Sequence, residues 1–78
     1  MLEMYVLETC PYCRKVMEYL KTHHIEYKEH DITIPENLEN LVEIGRERQV
    51  PFLYDTDKDV KMYESDHIIE YLKENYVR

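Results

Sequence analysis

The stretch Tyr5-Val6-Leu7-Glu8-Thr9-Cys10-Pro11-Tyr12-Cys13 decides the fold. It opens on an apolar run, so Met4 to Leu7 reads as a buried strand. Pro11 suits the first turn of a helix, where a missing N–H leaves no bond unmade. Val16, Met17 and Leu20 then recur at helical spacing, which predicts a helix from Pro11 to His23. The only two cysteines of the chain, Cys10 and Cys13, therefore stand where a strand hands over to a helix. A Cys-x-x-Cys in that position reads as a redox pair that cycles between dithiol and disulfide.

Outward from this stretch the elements continue to alternate. Tyr27, Glu29 and Asp31 alternate with Lys28, His30 and Ile32 as a second strand. Pro35 opens a second helix with Leu38, Leu41, Val42 and Gly45 along one side. Val50 to Tyr54 is a third strand. Asp55 to Asp59 is a polar turn, after which Val60 to Tyr63 pairs back as a fourth strand. Ser65 is the expected N-cap of a last helix whose apolar face is Ile68, Ile69, Leu72 and Tyr76. The order β-α-β-α-β-β-α calls for parallel strands joined by right-handed crossovers and closed by an antiparallel hairpin. The fold class is therefore α/β, with a four-stranded mixed sheet flanked by helices.

At 78 residues the chain is expected to be a single domain, residues 1–78. A chain this short buries only about 60% of the surface its unfolded form exposes, so its stability margin is thin. Met1-Leu2-Glu3-Met4 has neither a basic start nor a long apolar run, so no signal peptide is expected. No stretch approaches the roughly 20 apolar residues of a membrane span. A cytoplasmic location is expected, where structural disulfides are rare. The formal net charge of −7 disfavours nucleic acid and anionic membranes as partners.

Other readings of the cysteine pair are weaker. A structural disulfide across two intervening residues closes too small a loop to stabilise much. Zinc needs four ligands, and His23, His24 and His30 have no paired spacing with the cysteines. No metal site is expected.

The element order, Cys10-Pro11-Tyr12-Cys13, Val50-Pro51 and Tyr63-Glu64-Ser65-Asp66 together resemble a dithiol glutaredoxin of the thioredoxin-fold superfamily. The resemblance covers nearly the whole chain and implies a thioredoxin-like fold. The Glu64-Ser65 pair also resembles the glutathione-binding segment in the N-terminal domain of glutathione transferases. Those proteins continue into an all-helical second domain, which is not expected here. Cluster-binding glutaredoxins usually have a small residue where Pro11 stands, so an iron–sulfur cluster is not expected either.

The resemblance implies a glutathione-dependent thiol–disulfide oxidoreductase, with no tightly bound cofactor and glutathione as co-substrate. Its partners would be glutathione and disulfide-containing or glutathionylated proteins, and a monomer is the family default. If Pro11 is the first helical residue, Cys10 is the N-cap, and its sulfur can accept hydrogen bonds from the N–H groups of Tyr12 or Cys13. Cysteines at such helix ends have pKa values lowered to roughly 3.5–7.5. Cys10 is thus the expected nucleophile and Cys13 the resolving thiol.

By the same resemblance Pro51 is cis and lies opposite Cys10, and Val50 pairs its backbone with the cysteinyl part of glutathione. Ser65, Asp66 and Glu64 meet the γ-glutamyl end, while Tyr12 packs against the tripeptide. An ordinary helix cap explains Ser65 and Asp66 equally well.

Three positions depart from the family pattern. Leu7 stands where many glutaredoxins have Lys, Val42 where many have Gln, and Met62-Tyr63 replaces a Gly-Gly turn. Arg46 or Arg48 can replace the missing charge, or be a solvated Arg at a helix end. Leu7 and Val42 keep two alternatives open. One is a redox donor fed by a thioredoxin reductase. The other is a glutathione- or metal-binding module with little turnover.

Overall fold

Leu2, Met4 and Val6 occupy one face of strand β1 (Leu2–Val6), and Tyr5 the other; all four are buried. This alternation gives the molecule two cores, because each face of a strand must be covered. A computed structural model describes residues 1–77. After β1 come α1 (Pro11–Thr22), β2 (Lys28–Asp31), α2 (Pro35–Gly45), β3 (Phe52–Asp55), β4 (Val60–Tyr63) and α3 (Ser65–Tyr76). The sheet order is β2-β1-β3-β4. β1 runs parallel to β2 and antiparallel to β3, and β3 runs antiparallel to β4. This is the thioredoxin-like arrangement that the resemblance implies.

On one face, Val16 and Leu20 of α1 and Ile68 and Leu72 of α3 close over Leu2, Met4, Val6 and Leu53. On the other, Leu41 of α2 meets Tyr5 and Phe52. Fully burying one such Leu, Ile or Phe is worth about 1.5–3 kcal/mol.

Several boundaries differ from the sequence expectation. β1 starts at Leu2 and ends at Val6, because Leu7 already turns toward the cysteine loop. β2 is shorter than expected, and its polar residues find local partners. His30 Nε2 lies 2.8 Å from Glu3 Oε1, and the His30 ring stacks on Tyr5 at 4.6 Å. β3 begins at Phe52, not Val50, because the Val50-Pro51 peptide is cis and turns the chain just before the ladder. Asp55, expected in the turn, is the last residue of β3 and fully buried. Glu64, not Ser65, is the N-cap of α3; Ser65 is the first helical residue and is buried.

Gly45 shows how closely α2 approaches the sheet. A Cβ placed there meets the Tyr63 hydroxyl, and lies 2.9 Å from Tyr63 Cζ and 3.0 Å from Phe52 Cε1. The Tyr63 ring has little freedom to retreat. Its hydroxyl donates to the Glu47 carbonyl at 2.9 Å and accepts from the Glu47 N–H at 3.2 Å. Gly45→Ala is therefore expected to destabilise by about 1–3 kcal/mol through overpacking. A lowered urea midpoint with an unchanged slope checks this; an unchanged midpoint means that the Tyr63 ring yields freely.

Candidate functional site

The turn between β1 and α1 is built by main-chain bonds around Cys10. Its N–H donates to the Leu7 carbonyl at 2.9 Å, and its carbonyl accepts from the Arg14 N–H at 3.1 Å. With extended backbone angles (φ −82°, ψ 119°), Cys10 is the N-cap of α1, as the sequence predicts. Its sulfur takes no capping hydrogen bond from the first turn, contrary to expectation. Instead it lies within hydrogen-bonding reach of the Cys13 thiol, one helical turn away. The two thiols are free: Cys10 is partly exposed and Cys13 is buried.

Cys13 sits in a different environment from Cys10. Burial pushes its pKa up to about 12; the Leu7 N–H, 3.5 Å from its sulfur, opposes this, and the Cys10 hydrogen bond and charge add to it. Cys13 therefore keeps its proton at neutral pH.

Beside this turn lies an open cleft of about 280 Å³ lined by Tyr12, Gln49, Val50, Pro51, Glu64, Ser65 and Asp66. The six non-cysteine residues picked out in the sequence thus converge on one cleft, brought there from α1, the segment before β3, and the start of α3. Tyr12 is 65% exposed at its mouth. Val50 precedes the ladder, whose paired register starts at Phe52. Lys15 Nζ reaches across from α1 to Asp66 Oδ1 at 2.8 Å; this hydrogen bond and the lysine charge hold the Asp66 carboxyl below its usual range.

Gln49 was not legible in the sequence, since nothing distinguishes it from the other polar residues before Val50. Glu64 brings a second surprise, with φ 68° and ψ 120°. Side-chain-bearing residues rarely adopt this conformation, and such strain clusters at ligand clamps. No Gly or Asn signals it in the sequence. Of the two candidate arginines, Arg46 is the left-handed C-cap of α2, and Arg48 lies along a groove with Leu38, Glu39, Val42 and Glu43. Neither lines the cleft. Among the described residues, no three His, Cys, Asp or Glu side chains converge as a metal site, and no helix is long and apolar enough to cross a membrane.

A strand–Cys-x-x-Cys–helix junction on this sheet, beside a cis proline, defines a thioredoxin-like α/β domain. The family model described as glutathione S-transferase, N-terminal domain, matches residues 4–78, and the chain belongs to that family. No curated protein matches it. A glutathione S-transferase from the Antarctic clam Laternula elliptica is 32% identical, with a TM-score of 0.81 over 96% of this chain and 35% of that one. Human glutathione transferase theta-2, solved with glutathione and an unknown ligand, is 22% identical, with a TM-score of 0.84 over 97% and 32%. A delta-class glutathione transferase from Nilaparvata lugens is 18% identical, with a TM-score of 0.83 over 100% and 37%. The last two likenesses concern the fold. The chain spans about a third of the length of these transferases.

Proposed function

We propose that this domain is a glutathione-dependent thiol–disulfide oxidoreductase of the glutaredoxin type, with Cys10 as nucleophile and Cys13 as resolving thiol. The observation that carries this reading is the division of labour between the two sulfurs: Cys10 is partly exposed at a helix N-terminus, and Cys13 is buried with its proton retained. Membership of a family named for glutathione, and a cleft at the start of α3, support glutathione as the thiol.

In the mechanism, the Cys10 thiolate attacks a disulfide. The Cys10 Sγ–S bond forms, the substrate S–S bond breaks, and the departing thiolate takes a proton from water. Two of the influences that hold the proton on Cys13, the hydrogen bond and charge of Cys10, then vanish, because the Cys10 sulfur is now bonded to the substrate sulfur. Burial remains, opposed by the Leu7 N–H. Cys13 can now lose its proton, attack Cys10 Sγ and release the second thiol. Two electrons have passed from the dithiol to the substrate. Two glutathione molecules restore the dithiol and leave as glutathione disulfide.

The cleft supplies the groups that glutathione requires. The Val50 backbone lies off the end of the ladder and suits strand-like pairing with the cysteinyl unit. N–H groups at the start of α3 suit a carboxylate, and Glu64 and Asp66 suit an amine. Gln49 adds an amide. In this reading the protein partners are disulfide-containing or glutathionylated proteins.

The test is reduction of a small glutathione mixed disulfide, coupled to glutathione and glutathione reductase. Turnover that saturates with glutathione is expected. Reduction only when a thioredoxin reductase is supplied would move the protein to a reductase-fed donor. The family match favours a second reading, transfer of glutathione to an electrophilic carbon. Conjugation of a chloronitrobenzene without disulfide reduction would favour it.

A further inference from the structure

The main chain of Leu7 touches both cysteines. Its carbonyl accepts from the Cys10 N–H at 2.9 Å, which shapes the turn. Its N–H donates to the Cys13 sulfur at 3.5 Å. That N–H lies outside the sheet, because the β1–β3 ladder stops at the pair Tyr5–Phe52. Carried on by two residues, the same register would set Leu7 opposite Val50; β1 instead ends at Val6. The influences on the Cys13 sulfur pull in two directions. Burial, and the hydrogen bond and charge of Cys10, favour the protonated thiol, whereas the Leu7 N–H favours the anion. Cys13 is fully buried, so an anion formed there must be held by protein groups rather than by water.

Resting on the disulfide-reductase reading of this site, we propose that the Leu7 main-chain N–H is a catalytic donor of the resolving step, binding the Cys13 thiolate as it attacks Cys10 Sγ. The step needs no further reactant. The Cys13 proton passes to water, the Cys13 Sγ–Cys10 Sγ bond forms, and the bond from Cys10 Sγ to the substrate sulfur breaks. The departing thiolate takes up a proton. The dithiol has then lost two electrons and the substrate disulfide has gained them. A neutral sulfur is a weak acceptor, whereas a thiolate makes a charge-assisted bond, so the donor holds the attacking state better than the resting one. A hydrogen bond to a buried charge raises the anion fraction about 10- to 100-fold. An anion stabilised in this way is a weaker nucleophile and gives back about threefold for each tenfold gained. The net acceleration is about three- to tenfold. Attack by Cys10 on the incoming disulfide gains nothing from this donor. The N–H therefore favours protein disulfides, which need Cys13, over glutathione mixed disulfides, which do not.

The test replaces the Leu7 amide by an ester, which removes the N–H and keeps the side chain. Residues 1–9 are made as a thioester with the hydroxy acid analogue of leucine at position 7, and ligated to residues 10–78 at Cys10. An all-amide protein assembled in the same way is the reference. Each reduced protein is mixed rapidly with excess dithiobis(nitrobenzoate), a chromogenic disulfide. The first thiobenzoate released reports attack by Cys10, at a rate proportional to reagent. The second reports attack by Cys13 on Cys10 Sγ, at a rate independent of reagent. The ester is expected to slow the second phase about three- to tenfold and to leave the first within about twofold. An N–H that merely satisfied the turn would shift both phases alike. So would the ester's weakening of the Val6 carbonyl, which accepts from the Ile32 N–H at 3.1 Å. Equal slowing of both phases, or a second phase that is unchanged or faster, overturns the proposal while leaving Cys13 as the resolving thiol. A reference protein that releases only the first thiobenzoate overturns the resolving role of Cys13, and this proposal with it.

Discussion

Cys10→Ser is expected to lower reduction of a glutathione mixed disulfide by about 10³-fold or more, while Cys13→Ser stays within about threefold of the natural protein. The asymmetry follows from where the two sulfurs sit. Cys10 is partly exposed at the open end of α1, so an incoming sulfur can approach it. A serine hydroxyl there forms no sulfur–sulfur bond, so no mixed disulfide can arise. Cys13 is fully buried, with its pKa pushed up to about 12, so it does not meet substrate from solution. When the intermediate is Cys10 linked to glutathione, a second glutathione reaches the exposed sulfur and Cys13 is dispensable.

A protein disulfide behaves differently. There the mixed disulfide is bulky, and the internal thiol has the advantage of proximity. Cys13→Ser is accordingly expected to slow protein-disulfide reduction about a hundredfold or more and to accumulate a covalent protein–protein adduct. Coupled kinetics with both substrates, together with non-reducing electrophoresis, check this. Equal losses for Cys13→Ser on the two substrates would contradict the assignment of Cys13 as a thiol reserved for protein disulfides.

How much of this was legible in advance depended on whether the signal was local. Cys10 and Cys13 stand out because spacing alone places them on one turn of a helix, and Pro11 fixes where the helix begins. Tyr12, Val50, Pro51, Glu64, Ser65 and Asp66 converge on one cleft because the element order brings the start of α1, the approach to β3 and the start of α3 to one side of the molecule. The glutaredoxin likeness rested on the element order, the tetrapeptide, Val50-Pro51 and Tyr63 to Asp66 together, and the transferase likeness on Glu64-Ser65. The family match meets the second, and the first passes into the proposed function.

What escaped the sequence are features that depend on tertiary contacts. The positive φ of Glu64 occurs without a glycine, so local propensity argues against it. Asp55 reads as a turn residue because an acidic side chain among Thr56, Asp57 and Asp59 looks solvated. Only the return of α3, sixteen and more residues later, supplies the partners that bury it.

Those partners make Asp55 a polar position where a single substitution should cost much stability. Its carboxylate is fully buried at the end of β3. Oδ2 accepts from the Tyr71 hydroxyl at 2.7 Å and from the Tyr76 hydroxyl, and Oδ1 accepts from the Asp57 N–H at 3.2 Å. Burial acts to raise its pKa. The hydrogen bonds from Tyr76, Tyr71 and the N–H groups of Asp57 and Lys58 outweigh it, and the carboxyl lies below its usual range. The tyrosines feel the reverse: burial, then the Asp55 carboxylate, push Tyr76 up to about 12, and Tyr71 is raised as well.

Asp55→Asn keeps the shape but turns one acceptor into a donor, which then faces either the tyrosine hydroxyls or the Asp57 N–H. A cost of about 2–3 kcal/mol follows from leaving such a buried group unmatched. For a domain of this size that lowers Tm by roughly 10–20 °C. Because the folded pKa is depressed, the carboxylate's contribution is complete above the unfolded value of about 3.9 and is lost as pH falls through the lower folded value. The natural protein should therefore lose stability steadily as pH drops below about 5, and Asp55→Asn should show a shallower loss over that window. Thermal melts of both proteins between neutral and acid pH make the comparison. A variant melting within a degree or two of the natural protein, with the same acid slope, would show that the two tyrosines do not depend on this charge. The clasp also holds the far end of the helix whose first turn carries Ser65 and Asp66, so its loss should loosen the cleft before it unfolds the sheet.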